Sequence, residues 1–256
     1  MKKNLHITLF TIISALLLSS CSVYEEITFH KGGKMSYNMT FDAGELLKMF
    51  PEKGISGGKM SDSIISFAEM IEKEKTEMIG QYPDMEKDLD NIKPLYMRFV
   101  ENAEKCECYI SIYGDFKDSE ALANAFQSMN NLASQAKDTD NKIPASKENM
   151  TEWMSNFPQY HWNGKTMKRY IDAAQIIPDE DDMEEDPTVG KDPFSDWTSF
   201  FEGSKMTVKY HFPQKVESVS DPNALLSQDG KTVIIEYPGS VFTKSPDKAN
   251  IEIKLK

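Results

Sequence analysis

Glu26-Ile27-Thr28-Phe29-His30-Lys31-Gly32-Gly33-Lys34-Met35-Ser36-Tyr37-Asn38-Met39-Thr40-Phe41 is the stretch from which the fold follows. Ile27-Thr28-Phe29 and the run from Met35 to Phe41 are β-prone, and the two glycines between them supply the positive-φ residues of a tight turn. The stretch predicts a β-hairpin. The same signals recur downstream: residues 95–100 and 105–113 predict a second hairpin, and residues 160–162 and 166–170, on either side of Asn163-Gly164, a third. Strand patterns then fill residues 205–212, 216–220, 224–227, 232–237 and 250–255, with a turn at Asp229-Gly230. Prolines 213, 222, 238 and 246 mark the edges and turns of an antiparallel sheet.

Helical periodicity sits between these strands. Asp118 opens the clearest helix, where Leu122, Ala125, Phe126, Met129, Leu132 and Ala133 form one apolar stripe that suits packing on a sheet. Asp62 and Ser63 suit the start of another, with Ile64, Ala68, Ile71 and Met78 at helical spacing and Gly80 and Pro83 ending it. Shorter helices are expected at 43–50, 150–157 and 194–202. Residues 137–149 read as a polar loop. Together these elements predict an α+β fold: a mostly antiparallel sheet formed by N-terminal and C-terminal strands, with amphipathic helices packed on it.

The run Asp179-Glu180-Asp181-Asp182-Met183-Glu184-Glu185-Asp186 carries seven carboxylates and no aromatic, so a solvated, disordered loop near 179–192 is expected. It lacks the glycine and the closing glutamate of a calcium loop. A division into two subdomains near residue 180 is the alternative to one unit.

Upstream of the first hairpin lie Lys2-Lys3, an apolar run from Leu5 to Leu18, and Leu18-Ser19-Ser20-Cys21. A charged start, a short apolar segment and small residues before a cleavage point define a secretory signal peptide over residues 1–20. The apolar run is shorter than the roughly 20 residues of a membrane span. With cysteine directly after Leu-Ser-Ser, the segment resembles the lipobox of bacterial lipoproteins. That resemblance implies diacylglycerol on the Cys21 thiol, cleavage before it and acylation of the new amine, so the bilayer is the first expected partner. Two acyl chains hold a protein stably at a membrane. Ser22 resembles outer-membrane lipoproteins, and Glu25-Glu26 loosely resembles the acidic signal that sends some Bacteroidota lipoproteins to the cell surface. The periplasmic and surface faces both stay open.

The leader carries two lysines and no acid, so its removal takes the formal charge from −12 to −14. Such a balance excludes nucleic acid as an expected partner, since backbone recognition needs clustered Lys and Arg. Cys106 and Cys108 remain in a compartment that permits disulfides. They fall with Ile110 and Ile112 on one face of an expected strand and read as small buried hydrophobes. A Cys-x-Cys bridge would strain an extended backbone, and that spacing lacks the partners of a zinc site.

With these residues in place, a family resemblance emerges. The short tether, the early Phe-x-x-x-Gly-Lys hairpin, the helices rich in Met and Lys, and the closing Val208-Lys209-Tyr210-His211-Phe212-Pro213 … Val216-Glu217-Ser218-Val219-Ser220 … Asp229-Gly230-Lys231-Thr232-Val233 … Glu236-Tyr237 look like an uncharacterised Bacteroidota lipoprotein family. The closing segment is also similar to the LppM-type lipoprotein domain, with its Phe-Pro-x-x-Val … Asp-Gly-Lys-Thr pattern. The resemblance implies an α+β secreted domain whose first and last strands share a sheet, and it carries over no catalytic residue. Asp62-Ser63-Ile64 also resembles a three-residue Bacteroidota O-glycosylation motif, beside its reading as a helix cap.

Histidines 30, 161 and 211 of the mature chain stand outside His-Glu-x-x-His, Gly-x-Ser-x-Gly and Ser-x-x-Lys arrangements. No catalytic residue, metal ligand or cofactor is expected. The expected function is a membrane-anchored, non-enzymatic binding or scaffold domain of the cell envelope. Its expected partner is an apolar or lipid-like ligand held between sheet and helix, or another envelope protein; a hydrolase with an unrecognised site is the remaining alternative.

Overall fold

The computed structural model describes residues 22–44, 60–73, 86–102, 104–137, 158–171, 204–241 and 245–256. The first hairpin forms as its sequence dictates: β1 (Ser22–Phe29) and β2 (Met35–Asp42) pair antiparallel around a 3₁₀ turn at Lys31–Gly33. Gly32 sits at φ 82°, a left-handed conformation that only glycine reaches without strain. Alternation then sorts the side chains. Val23, Ile27 and Phe29 of β1 and Met35, Tyr37, Met39 and Phe41 of β2 are buried on one face.

Four more long strands extend this pair. β4 (Leu95–Asn102) and β5 (Glu107–Phe116) form the second hairpin, and β5 pairs with β2. On the other side β8 (Lys205–His211) runs parallel to β1, and β11 (Thr232–Pro238) pairs antiparallel with β8. With β3 (Ser61–Ser66) and the two-residue β10 (Leu225–Leu226) at the edges, the result is an eight-stranded sheet ordered β10-β11-β8-β1-β2-β5-β4-β3. It is antiparallel except at β1–β8, as expected of an α+β protein.

The third hairpin goes elsewhere. β6 (Gln159–Trp162) and β7 (Thr166–Tyr170), with Gly164 at φ 89° in their turn, join β12 (Ile251–Leu255) and β9 (Val216–Val219) in a second sheet ordered β6-β7-β12-β9. This corrects the expectation that first and last strands share a sheet. β8 takes the place beside β1, while Ile251, Ile253 and Leu255 of β12 turn their apolar row into the common core. Strands from before and after residue 180 mix in both sheets.

Helices cover the rest of the inner face. α1 (Glu86–Ile92) buries Leu89 and Ile92, and α2 (Ser119–Lys137) buries Leu122, Ala125, Phe126 and Met129. Asp118 caps α2 by accepting the Ala121 N–H at 2.8 Å. The stripe expected on this helix meets the sheet directly, with Phe126 edge-on to Tyr37 at 4.9 Å. Between the helices, Ser128 donates to Asp88 at 2.7 Å and Asn91 donates to Ser128 at 3.0 Å.

The helix expected from Asp62 starts later. Residues 61–66 are a strand paired with β4, and helix begins at 67, with the Ser66 hydroxyl accepting the Glu69 N–H. Ile64-Ile65 favours extended backbone, and the Asp62 carboxylate binds Arg98 rather than a helix terminus. The expected elements at 150–157 and 194–202, most of those at 43–50 and 137–149, and the acidic run lie outside the described residues.

Phe126→Ala should destabilise the fold by about 3–5 kcal/mol through the cavity it leaves. The exposed Gln127→Ala on the same helix should stay within about 0.5 kcal/mol of wild type. Urea denaturation followed by circular dichroism checks both.

Candidate functional site

Two polar constellations stand out, one inside and one outside the large sheet. The inner one begins with Glu25, four residues after Cys21. Alternation along β1 turns Glu25 to the core side, where it is fully buried, and Arg169 of β7 reaches it from the second sheet, also fully buried. Arg169 Nε stands 3.7 Å from Glu25 Oε2, and its Nη1 donates to the Ala249 carbonyl at 3.0 Å. The Tyr160 hydroxyl of β6 donates to Glu25 Oε1. Tyr37 and Tyr210 enclose the pair from β2 and β8.

Burial pushes the Glu25 carboxyl above its ordinary range, and the Arg169 charge and the Tyr160 hydrogen bond offset that only in part. Burial also works against the Arg169 charge, but the field of Tyr160 and Glu25 keeps the guanidinium protonated. Burial, followed by the Glu25 charge, raises Tyr37, Tyr160 and Tyr210 far above the usual phenol range. The cluster is structural: it ties β1 of one sheet to β6 and β7 of the other.

The outer constellation lies on the opposite face. Register places Glu26 and Thr28 of β1, Ser36 and Asn38 of β2, Ser111, Tyr113 and Asp115 of β5, and Tyr96 and Arg98 of β4 in neighbouring rows. These residues line a groove of about 490 Å³, within the roughly 300–1,000 Å³ of ordinary ligand sites. Tyr96 and Tyr113 stack at 5.5 Å with planes 15° apart. Arg98 makes a bidentate pair with Asp62 at 2.8 and 3.0 Å, which holds the Asp62 carboxyl below its usual range.

Two histidines lie on this face. His30 Nε2 is 2.9 Å from Ser36 Oγ, and Ser36 donates to Asp115 at 2.6 Å. The hydroxyl proton is thus engaged by the carboxylate, so His30 is the donor to Ser36 and not its base. His211 has the order hydroxyl, imidazole, carboxylate, with Thr232 Oγ1 at 3.0 Å and Glu26 Oε1 at 2.6 Å. Acyl transfer also needs free amides to hold an oxyanion. The neighbouring Lys231 and Thr232 amides already donate to Asp229 and Ser227. His161 is exposed on β6.

The cysteines depart from expectation. Cys106 lies in the β4–β5 turn at φ 54° rather than in the strand, and Cys108 alone turns inward. Cys108 is a free thiol, and burial pushes it up to about 11, with Glu101 and Asp42 adding to the shift. Cys21 lies outside the described residues, although β1 begins at the next residue. Ser63 is exposed on edge strand β3. Among the described residues no cluster of His, Cys, Asp and Glu is placed to hold a metal ion, and no helix is long and apolar enough to cross a membrane.

Alternation revealed the outer rows only once pairing partners were known. Glu25 carries a weak signal in the sequence: an acid in phase with Val23, Ile27 and Phe29 on the buried face of a strand.

No family model and no curated protein matches the chain. Among solved structures, the folded domain of the Mycobacterium tuberculosis LppM protein, determined by NMR, is similar with a TM-score of 0.36 and 9% identity over 93% of this chain and 90% of that one.

The folded-state pKa of Glu25 lies above its unfolded value of 4.5, so its contribution to stability is largest in acid and is lost as pH rises through the folded pKa. Glu25→Gln has no proton to lose. Urea melts from below pH 4.5 to neutrality should therefore show the stability difference moving in the variant's favour as pH rises. Arg169→Met at neutral pH should cost about 3–5 kcal/mol, because it strands a buried carboxylate.

Proposed function

We propose that this chain is a lipid-anchored, non-enzymatic binding domain of the bacterial envelope, and that its ligand site is the groove on the outer face of the large sheet. The observation that carries the reading is that groove itself, with paired tyrosine rings beside a row of hydrogen-bonding side chains. The anchorage rests on the Leu18-Ser19-Ser20-Cys21 sequence. The non-enzymatic reading rests on the Ser36 hydroxyl already donating to Asp115 and on the occupied amides beside Thr232.

The lining suggests the ligand class. Glu26 and Asp115 offer carboxylate acceptors, Asn38 an amide, and Thr28, Ser36 and Ser111 hydroxyls. Tyr96 is 40% exposed and gives an apolar ring at the same site. A hydroxyl-rich ring with one apolar face, such as a sugar, satisfies both halves of this surface. A lipid chain would strip water from the carboxylates without replacing its hydrogen bonds, at the cost of an unsatisfied polar group for each. The apolar stripe of α2, where a lipid-like ligand was expected, is already packed into the core.

A second reading keeps a protein partner. The outer strands β3 and β10 expose Ile64, Ile65, Leu225 and Leu226, and uncovered edge strands are templates for another chain.

Titration against a panel of soluble oligosaccharides tests the first reading. Binding by wild type, weakened roughly tenfold by Tyr96→Ala, or about 1.4 kcal/mol, is the expected outcome. Absence of binding across the panel, together with co-purification of an envelope protein that Leu225→Asp, on the edge away from the groove, abolishes, would replace it with the second.

A further inference from the structure

The geometry points to an end-on seat on the bilayer, in which Ser22, Asp42, Lys205 and Pro238 form the membrane-proximal rim of the large sheet and the Lys31–Gly33 turn faces away. This inference rests on the lipid anchor at Cys21.

β1 is bonded into the sheet on both sides from its first residue, since Ser22 pairs with Asp42 of β2 and with Lys205 of β8. Only one peptide link separates Ser22 from Cys21, and consecutive Cα atoms are about 3.8 Å apart. The lipid therefore grips an interior strand of an eight-stranded sheet with no spacer between them. A flexible tether would leave the domain free to tumble. Here the first rung of the sheet is held within one residue of the acyl chains.

The register then says what shares that end. β2 finishes at Asp42, β8 starts at Lys205, and β11 finishes at Pro238 opposite Lys205. Two further bonds close the same rim: Gly239 N–H donates to Ser204 O at 2.8 Å, and Ala43 N–H donates to Cys108 O at 2.7 Å. Sheet twist of roughly 25° per strand keeps β2 and β8 close to the direction of β1. The edge strands splay further.

Eight residues of β1 carry the opposite rim roughly 23 Å from the first. Exposed Lys31, Lys34, Lys117 and Lys231 lie there. At the near rim Lys205 is paired with Glu236 at 2.9 Å, and exposed Lys105 of the adjoining β4–β5 turn stands between exposed Glu104 and Glu107, so the rim offers no net positive charge to headgroups. Contact with headgroups is imposed by the anchor. The groove, whose lowest lining residues Ser111 and Arg98 stand level with Tyr24 and which extends up to Thr28 and Asp115, opens sideways above the headgroups, so a ligand reaches it from the aqueous side.

Lysine acetylation read by mass spectrometry tests this on the full lipidated protein in phosphatidylethanolamine–phosphatidylglycerol vesicles, beside soluble Cys21→Ser. Lys205 should label several-fold more slowly on vesicles, with Lys31, Lys34, Lys117 and Lys231 unchanged. Equal labelling of Lys205 in both forms, or protection of the distal lysines, overturns the seat. Within the lipidated sample alone, the Lys205 to Lys31 labelling ratio should rise several-fold when the vesicles are dissolved in detergent, and a constant ratio overturns the seat without use of the variant. Flotation separates the two failures: if Cys21→Ser floats with the vesicles as wild type does, the anchor itself is wrong.

Discussion

Glu25 and Arg169 meet in the space between two sheets, and the rest of the structure is arranged so that this pair is tolerable. Taking both charges out of water costs several kcal/mol per ion, and their attraction recovers this only with good geometry and further hydrogen bonds. Tyr160 and the Ala249 carbonyl supply two of those bonds. The pair is thus poor at adding stability and good at specifying partners. A second sheet shifted along β1 would leave a bare carboxylate in the core, so the register of one sheet on the other is selected by the cost of its alternatives.

Around that pair the apolar contacts do the stabilising. Phe29 stacks on Phe212 at 4.9 Å and meets Trp162 at 5.0 Å, which joins β1, the end of β8 and β6 in one aromatic group. Phe126 performs the same service for α2 against Tyr37. With the inner face of the large sheet covered by strands on one side and helices on the other, the outer face is left to water. Its rows of hydroxyls, carboxylates and tyrosines are free of packing duties, and a groove can persist there without cost to the core.

Several expectations failed where local pattern and pairing disagreed. Cys106 matches the alternation of β5, yet it lies in the preceding turn at positive φ, because the β4–β5 register ends at Asn102 opposite Glu107. Ser63 follows an acid in a cap-like context, but Arg98 on the neighbouring strand offers the Asp62 carboxylate a bidentate partner, and residues 61–66 extend along β4. The outer groove had no local signature at all. Its lining comes from five strands, four of them showing only the ordinary polar half of an alternating pattern and β3 adding the exposed Ile64.

The amino-acid sequence by itself determined the hairpins at 29–35 and 162–166, the capped α2 helix and the α+β class, because each depends on a few adjacent residues whose backbone preferences agree. Tertiary structure alone decided which strand lies beside β1, that β12 belongs to a second sheet, and that an acid on β1 meets an arginine on β7. Those outcomes depend on contacts between residues far apart in the chain, and the apolar rows of β8 and β12 are equally suited to either place. Only the fit of whole faces, and the cost of an unpaired charge between them, separates the two arrangements.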